Sequence, residues 1–238
     1  MNAHAIPAAD RLAVIQTLME GIVARISALP DMQTESVRSV RRELSRELVD
    51  AKPATVLALA LRLSQDHPEE PYRFVAYELV HFHPAALRAL NAANLERLGA
   101  GMDDWVTVDT FACYLSGPAW REGEVPDSLI HRWARSKDRW WRRAALVSTV
   151  ALNTRTRGGQ GDARRTLELC ALLVGDRDDM VVKAMSWALR ELAKRDRQAV
   201  AEFVGTHGAV LAPRVLREVH NKLATGLKNP RKASLRKK

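Results

Sequence analysis

Apolar residues recur along this chain every three or four positions, the period of a helix with one buried face. Leu12, Ile15, Leu18 and Ile22 line one such face. Val37, Val40, Leu44 and Leu48 line the next, with Thr34 or Ser36 placed to cap it. Pro53 suits the first turn of a third helix, ATVLALALRLSQ. Pro71 opens PYRFVAYELVHF, Pro84 opens PAALRAL, and Pro126 precedes SLIHRWARS. Further helical segments are WVTVDTFACYL, DRWWRRAALVSTVAL, ARRTLELCALLVG, DMVVKAMSWALRELAKR, RQAVAEFVGTH and PRVLREVHNKLATG. The alternating Val/Ile/Thr runs that mark strands do not occur. The pattern predicts an all-α chain of about a dozen helices, each of about 10–17 residues, with short joints.

Internal repetition narrows the architecture. Asp138-Arg-Trp-Trp-Arg-Arg-Ala144 overlies Asp178-Asp-Met-Val-Val-Lys-Ala184 at an offset of 40 residues. Asp103-Asp-Trp-Val-Thr-Val-Asp109 falls into the same frame 35 residues earlier, and Glu70-Pro-Tyr-Arg-Phe-Val-Ala76 is a weaker copy. An Asp at a helix start is also ordinary N-capping. Together, however, the copies favour an α-solenoid of HEAT-like helical pairs over a bundle. Such a fold offers a concave face to a long ligand, and here that face is expected to be basic. Residues 1–226 read as one helical-repeat domain. The tail 227–238, rich in Lys and Arg with no acid, is expected to be disordered, either helping to hold phosphate or only aiding solubility.

Charge gives the first functional clue. The 238 residues carry a net charge of +9, with 47% apolar and 27% charged positions. The first 100 residues hold 11 Lys/Arg against 12 Asp/Glu, and the remainder 26 against 16. A polyanion would be drawn to the second half. Two cysteines, Cys113 and Cys170, cannot build a disulfide framework or a four-ligand zinc site, which suits a reduced, cytoplasmic setting. No run approaches the roughly 20 apolar residues of a membrane span, and the N-terminus lacks the pattern of a signal peptide.

One position in the repeat frame stands out. Where Ala144 and Ala184 stand, the earlier copy has Asp109, a carboxylate on a largely apolar helix. Desolvating an ionised group is costly unless it is paired or functional. Trp105 lies four residues ahead, so indole and carboxylate share a helix face. All six tryptophans lie between positions 105 and 187, within the basic part of the chain. Aromatics interleaved with Arg suit nucleic acid, guanidinium for phosphate and flat rings for sugars and bases. Such residues are also common core, and Trp120, Trp133, Trp140 and Trp141 have that alternative.

Three segments in order, DDWVTVDTF, RWWRRAALVS and KAMSWALRELAK, make the chain resemble the DNA alkylation repair family, the HEAT-like DNA glycosylases of the AlkD type. MQTESVRSVRREL is a weaker echo upstream. The resemblance implies that Asp109 is the catalytic carboxylate and that Trp105 and Trp187 flank the deoxyribose of the lesion. It implies that Arg143 grips the phosphate backbone. It further implies excision of cationic alkylated purines, of the 3-methyladenine and 7-methylguanine type, without base flipping and with no metal or cofactor. The family's additional tyrosine near the start of the solenoid has no counterpart in TLMEGIVARIS.

A cationic purine is a good leaving group, and breaking its glycosidic bond moves positive charge onto the sugar. A fixed carboxylate stabilises that charge, and indole faces favour it by about 0.5–2 kcal/mol each. Lys183 and Arg190 are read as further phosphate contacts, although Arg190 with Glu191 is alternatively a helix-surface pair, and Lys194 is equally open. Arg155, Arg157, Arg164 and Arg165 flank a GGQG segment read as a flexible basic loop. His81 and His83 lack the companions of a metal site. The expected partner is double-stranded DNA carrying alkylated bases, bound by a monomer. The alternatives are a non-catalytic protein for damaged or branched DNA, or a protein scaffold.

Overall fold

The computed structural model describes residues 8–230, with side-chain burial from residue 12. All regular structure among these residues is helical. The chain divides into two compact units, one ending at Val125 and the other starting at Pro126.

The first unit runs through α1 (Ala8–Ser27), α2 (Thr34–Glu47), α3 (Pro53–Asp66), α4 (Glu70–His81), α5 (Pro84–Arg88), α6 (Ala92–Gly99), α7 (Trp105–Phe111) and α8 (Gly117–Arg121). Prolines stand in the first turns of α3, α4 and α5, where their missing N–H costs nothing. Helix α2 is not capped by Thr34 or Ser36; its N-cap is Gln33. Asp31 accepts instead from Gln33 N at 3.0 Å and from Ser36 Oγ at 2.6 Å. Helix α6 went unmarked by the periodicity. It is short, and Asn91 caps it by accepting from Asn94 N at 2.9 Å.

Helix α1 packs on α3, α2 on α4, and α4 on α7. Ile22, Ile26, Leu59, Leu63, Val75, Tyr77 and Phe111 are wholly buried between them. Glu78 is also wholly buried, and it accepts from Arg38 Nε at 3.0 Å and Arg41 Nε at 2.9 Å. Helix α2 is thereby tied to α4 by charge-assisted bonds that satisfy both carboxylate oxygens. Between α7 and α8 the chain makes a π-helical turn, Ala112–Ser116. Pro118 then has no N–H to give the carbonyl of Tyr114, and His81 Nδ1 donates to that oxygen at 2.9 Å.

The second unit comprises α9 (Asp127–Ala134), α10 (Arg139–Asn153), α11 (Ala163–Leu172), α12 (Asp179–Leu192), α13 (Arg197–His207) and α14 (Pro213–Thr225). Helix α10 packs along α12, and α12 along α14. The bonds between them keep register: Arg139 with Asp178 and Thr154 with Glu191 join α10 to α12, and Arg214 with Asp179 and Ser186 with Glu218 join α12 to α14. Ordered this way along both partners, the bonds make α10, α12 and α14 parallel, with α11 and α13 as the returns. This is the helical-pair repeat expected from the sequence. Ala144 and Ala184 are both wholly buried at these crossings.

The GGQG segment is held rather than loose. Arg195 donates to Asn153 O at 2.8 Å and to Gly159 O at 2.7 Å. A Cβ at position 159 would lie 2.7 Å from the Ala151 carbonyl, so only glycine fits. Of the predicted tail, residues 227–230 are described. The chain turns back at Gly226 in a left-handed cap, with φ +76°. Asn221 Nδ2 donates to Lys228 O at 3.0 Å. The start of the tail is thus anchored, and its remainder lies outside the described residues.

Candidate nucleic-acid interface

The expected site residues fall on three helices in two units. Trp105 and Asp109 belong to α7 of the first; Lys183, Trp187 and Arg190 belong to α12 of the second, with Arg143 on α10 beside it.

Helix α7 starts where Asp104, not Asp103, caps it. The Asp104 carboxylate accepts from Thr107 N at 2.9 Å and from Thr107 Oγ1 at 2.5 Å. The cap fixes Trp105 as the first helical residue. Val108 and Phe111 fill the buried face of α7, and Phe111 meets Tyr77 of α4 edge-on at 5.8 Å. Trp105 and Asp109 follow a different face, one turn apart. Trp105 is 56% exposed, an unusual placement for so large an apolar side chain, and Asp109 is half-buried.

The caps also correct the repeat frame. Asp138 caps α10 and Asp178 caps α12. Counted from the caps, the counterpart of Ala144 and Ala184 is Thr110, which is buried, and Asp109 stands level with Arg143 and Lys183. The carboxylate does not occupy an alanine slot. It occupies the position that carries a cation in the two later repeats.

On α12, Lys183, Trp187 and Arg190 recur at spacings of four and three and form one stripe. Lys183 Nζ is 2.6 Å from Asp179 Oδ2, and this bond holds the Asp179 carboxyl below its usual range. Trp187 is half-buried. Arg190 does not pair with Glu191 on the surface. Its Nε donates to Ser186 Oγ at 3.2 Å and faces Glu218 at 3.9 Å. Burial pulls its pKa down, and Glu218 and Glu191 oppose that shift. Glu191 instead takes Lys194 at 2.7 Å. Arg143 is only 5% exposed and donates to Met180 O at 2.6 Å, against the first turn of α12.

The other candidates sort clearly. Trp120 and Trp133 are core. Trp140 and Trp141 are half-buried at the start of α10, where the Arg139 guanidinium lies 5.3 Å from the Trp140 ring. Arg164 pairs with Glu168 and Asp127, and Arg165 with Asp162. His83 Nδ1 accepts from Ala86 N at the start of α5, and its Nε2 faces Ala51 O at 3.0 Å. Among the described residues no group of three or more His, Cys, Asp or Glu is placed to hold a metal ion. Sequence reasoning passed over Arg214, Arg217 and Glu218 on α14. The only signal was their position on an amphipathic helix of the basic half, a signal shared with many solvated faces.

The model of the DNA alkylation repair enzyme family matches residues 32–223, a span that includes all these residues. No curated protein matches the sequence. A solved structure described as a predicted DNA alkylation repair enzyme from Enterococcus faecalis is similar in fold, with a TM-score of 0.66 at 16% identity. The similarity covers 94% of this chain and 100% of that one. With the family model spanning most of its length, the chain belongs to the DNA alkylation repair enzyme family.

Proposed function

We propose that this protein is a DNA glycosylase that removes cationic N-alkylated purines, of the 3-methyladenine and 7-methylguanine type, from duplex DNA. Family membership implies DNA as the partner. The observation that carries the finer reading is the pair on α7: a tryptophan 56% exposed, one turn ahead of a half-buried carboxylate. An indole face open to solvent favours a cation. A carboxylate at that level stabilises the charge that develops on the deoxyribose as the glycosidic bond breaks, and positions the attacking water. The base departs as a neutral purine and takes the bonding electron pair, so no general acid is needed. Selection then follows lesion charge, and the base need not swing into a pocket.

In this reading Trp187, on α12, is a further indole that favours positive charge. Lys183 and Arg190 meet phosphate from the α12 stripe. Arg143, held at the Met180 carbonyl, adds positive charge just beneath that surface. The protein acts as a monomer in the reduced cytoplasm. Among the described residues no helix is long and apolar enough to cross a membrane. The test is incubation with duplex containing 7-methylguanine, read as strand cleavage at the abasic product. Base release by the parent protein and its loss in Asp109→Asn support the proposal. Salt-sensitive binding without release would make the protein a non-catalytic DNA binder.

A further inference from the structure

Helices α12 and α14 gather an unusual excess of positive charge around one buried acid. The Glu218 side chain is 7% exposed. Its Oε2 accepts from Ser186 Oγ at 2.6 Å and lies 3.5 Å from Lys228 Nζ and 3.9 Å from Arg190 Nε. Its Oε1 lies 4.0 Å from Arg214 and 3.9 Å from Arg217. Arg214 also reaches Asp179 at 2.8 Å, where Lys183 is already bound. Glu191, the other acid facing Arg190, is taken by Lys194. The contacts of Glu218 with its four cations are all 3.5 Å or longer. None is a tight ion pair, so much of the donor capacity of these side chains remains for another anion. Arg217 and Lys228 are the most open, at 62% and 46% exposure.

Lys228 arrives by a specific route. The left-handed turn at Gly226 and the Asn221 bond to the Lys228 carbonyl fold the chain back along α14, which brings Nζ to Glu218. An ordinary solvated tail would not need that fixture.

We infer that the phosphate contacts proposed on α12 continue across α14 as a platform for duplex DNA, with Arg214, Arg217 and Lys228 as backbone contacts. Glu218 is the positioning residue that assembles them beside Arg190. The inference rests on DNA as the partner but not on glycosylase chemistry. Charge gathered in this way holds the backbone without reading bases, because phosphate contacts carry register and affinity but no sequence. Glu218 lowers the net charge of the platform, yet it fixes where the cations stand.

The test is the affinity of the full-length protein for unmodified duplex as a function of salt. Each lost phosphate contact makes the log–log slope shallower by about 0.9. The double variant Arg217→Ala/Lys228→Ala is expected to be shallower by about two contacts and to bind more weakly at low salt. Arg62→Ala, which removes an exposed cation elsewhere, should leave the slope at the parent value. Glu218→Gln discriminates further. Net charge alone predicts tighter binding after loss of an acid, whereas a positioning role predicts weaker binding with an unchanged far-ultraviolet spectrum. An unchanged slope in the double variant, tighter binding by Glu218→Gln, or no duplex binding by the parent would each overturn the inference. Base release is scored separately: its absence with the slopes as expected counts against the glycosylase and leaves the platform standing.

Discussion

Asp109 on α7 holds the position that Arg143 holds on α10, each five residues after the aspartate that caps its helix. The same position on α12 carries Lys183. One helical framework thus presents an anion in one repeat and cations in the two that follow. In the proposed function this reversal separates the work, with the carboxylate for a cationic sugar and the cations for phosphate.

Trp105 is not part of the core. It is the first residue of α7 and largely exposed, so Trp105→Ala should change stability by no more than about 0.5 kcal/mol. If its indole faces the reacting sugar, base release should fall by roughly 2- to 30-fold, the factor that corresponds to about 0.5–2 kcal/mol. Thermal unfolding and single-turnover release measure the two separately.

Trp120 gives the opposite result. It is wholly buried, and Trp120→Ala should cost about 3–5 kcal/mol in urea unfolding. Any loss of activity in that variant should track the loss of folded protein.

The legibility of these two tryptophans differs for a physical reason. Both sit among apolar neighbours, and periodicity alone treats them alike. The N-cap makes the difference: it sets which face of α7 Trp105 joins. The neighbouring acids Asp103 and Asp104 both suit a cap, and only the Thr107 contacts select Asp104. Most helices were legible because the core imposes their period and because prolines mark the starts of α3, α4, α5 and α14. The π turn was hidden, since it depends on a hydrogen-bond shift with no side-chain period. The acids Glu78 and Glu218 were hidden as well. Glu78 meets its arginines across 37 and 40 residues and Glu218 meets Ser186 across 32, and local spacing carries no trace of such bonds.

Glu78 should prove a structural linchpin of the first unit. Glu78→Ala leaves Arg38 and Arg41 without their shared carboxylate, and removal of one partner from a buried ion cluster costs about 3–5 kcal/mol. Chemical denaturation of the variant should show that loss.

Lys183 and Asp179 yield a pH prediction. The hydrogen bond from Lys183 holds the Asp179 carboxyl below its ordinary 3.8. A carboxyl depressed in the folded state stabilises above its unfolded pKa, and that contribution disappears as pH falls through the lower folded value. Carboxyl NMR should place the Asp179 midpoint below 3.8 and return it toward that value in Lys183→Met.

The proposed glycosylase chemistry depends on the carboxylate at position 109. The most direct test compares single-turnover release of 7-methylguanine from duplex DNA by the parent and by Asp109→Asn, with protein in excess and both fully bound. A catalytic role for Asp109 predicts a fall of about 10²–10³-fold in the rate, the usual cost of removing one preorganised electrostatic group, with duplex affinity largely retained. Equal rates would contradict it.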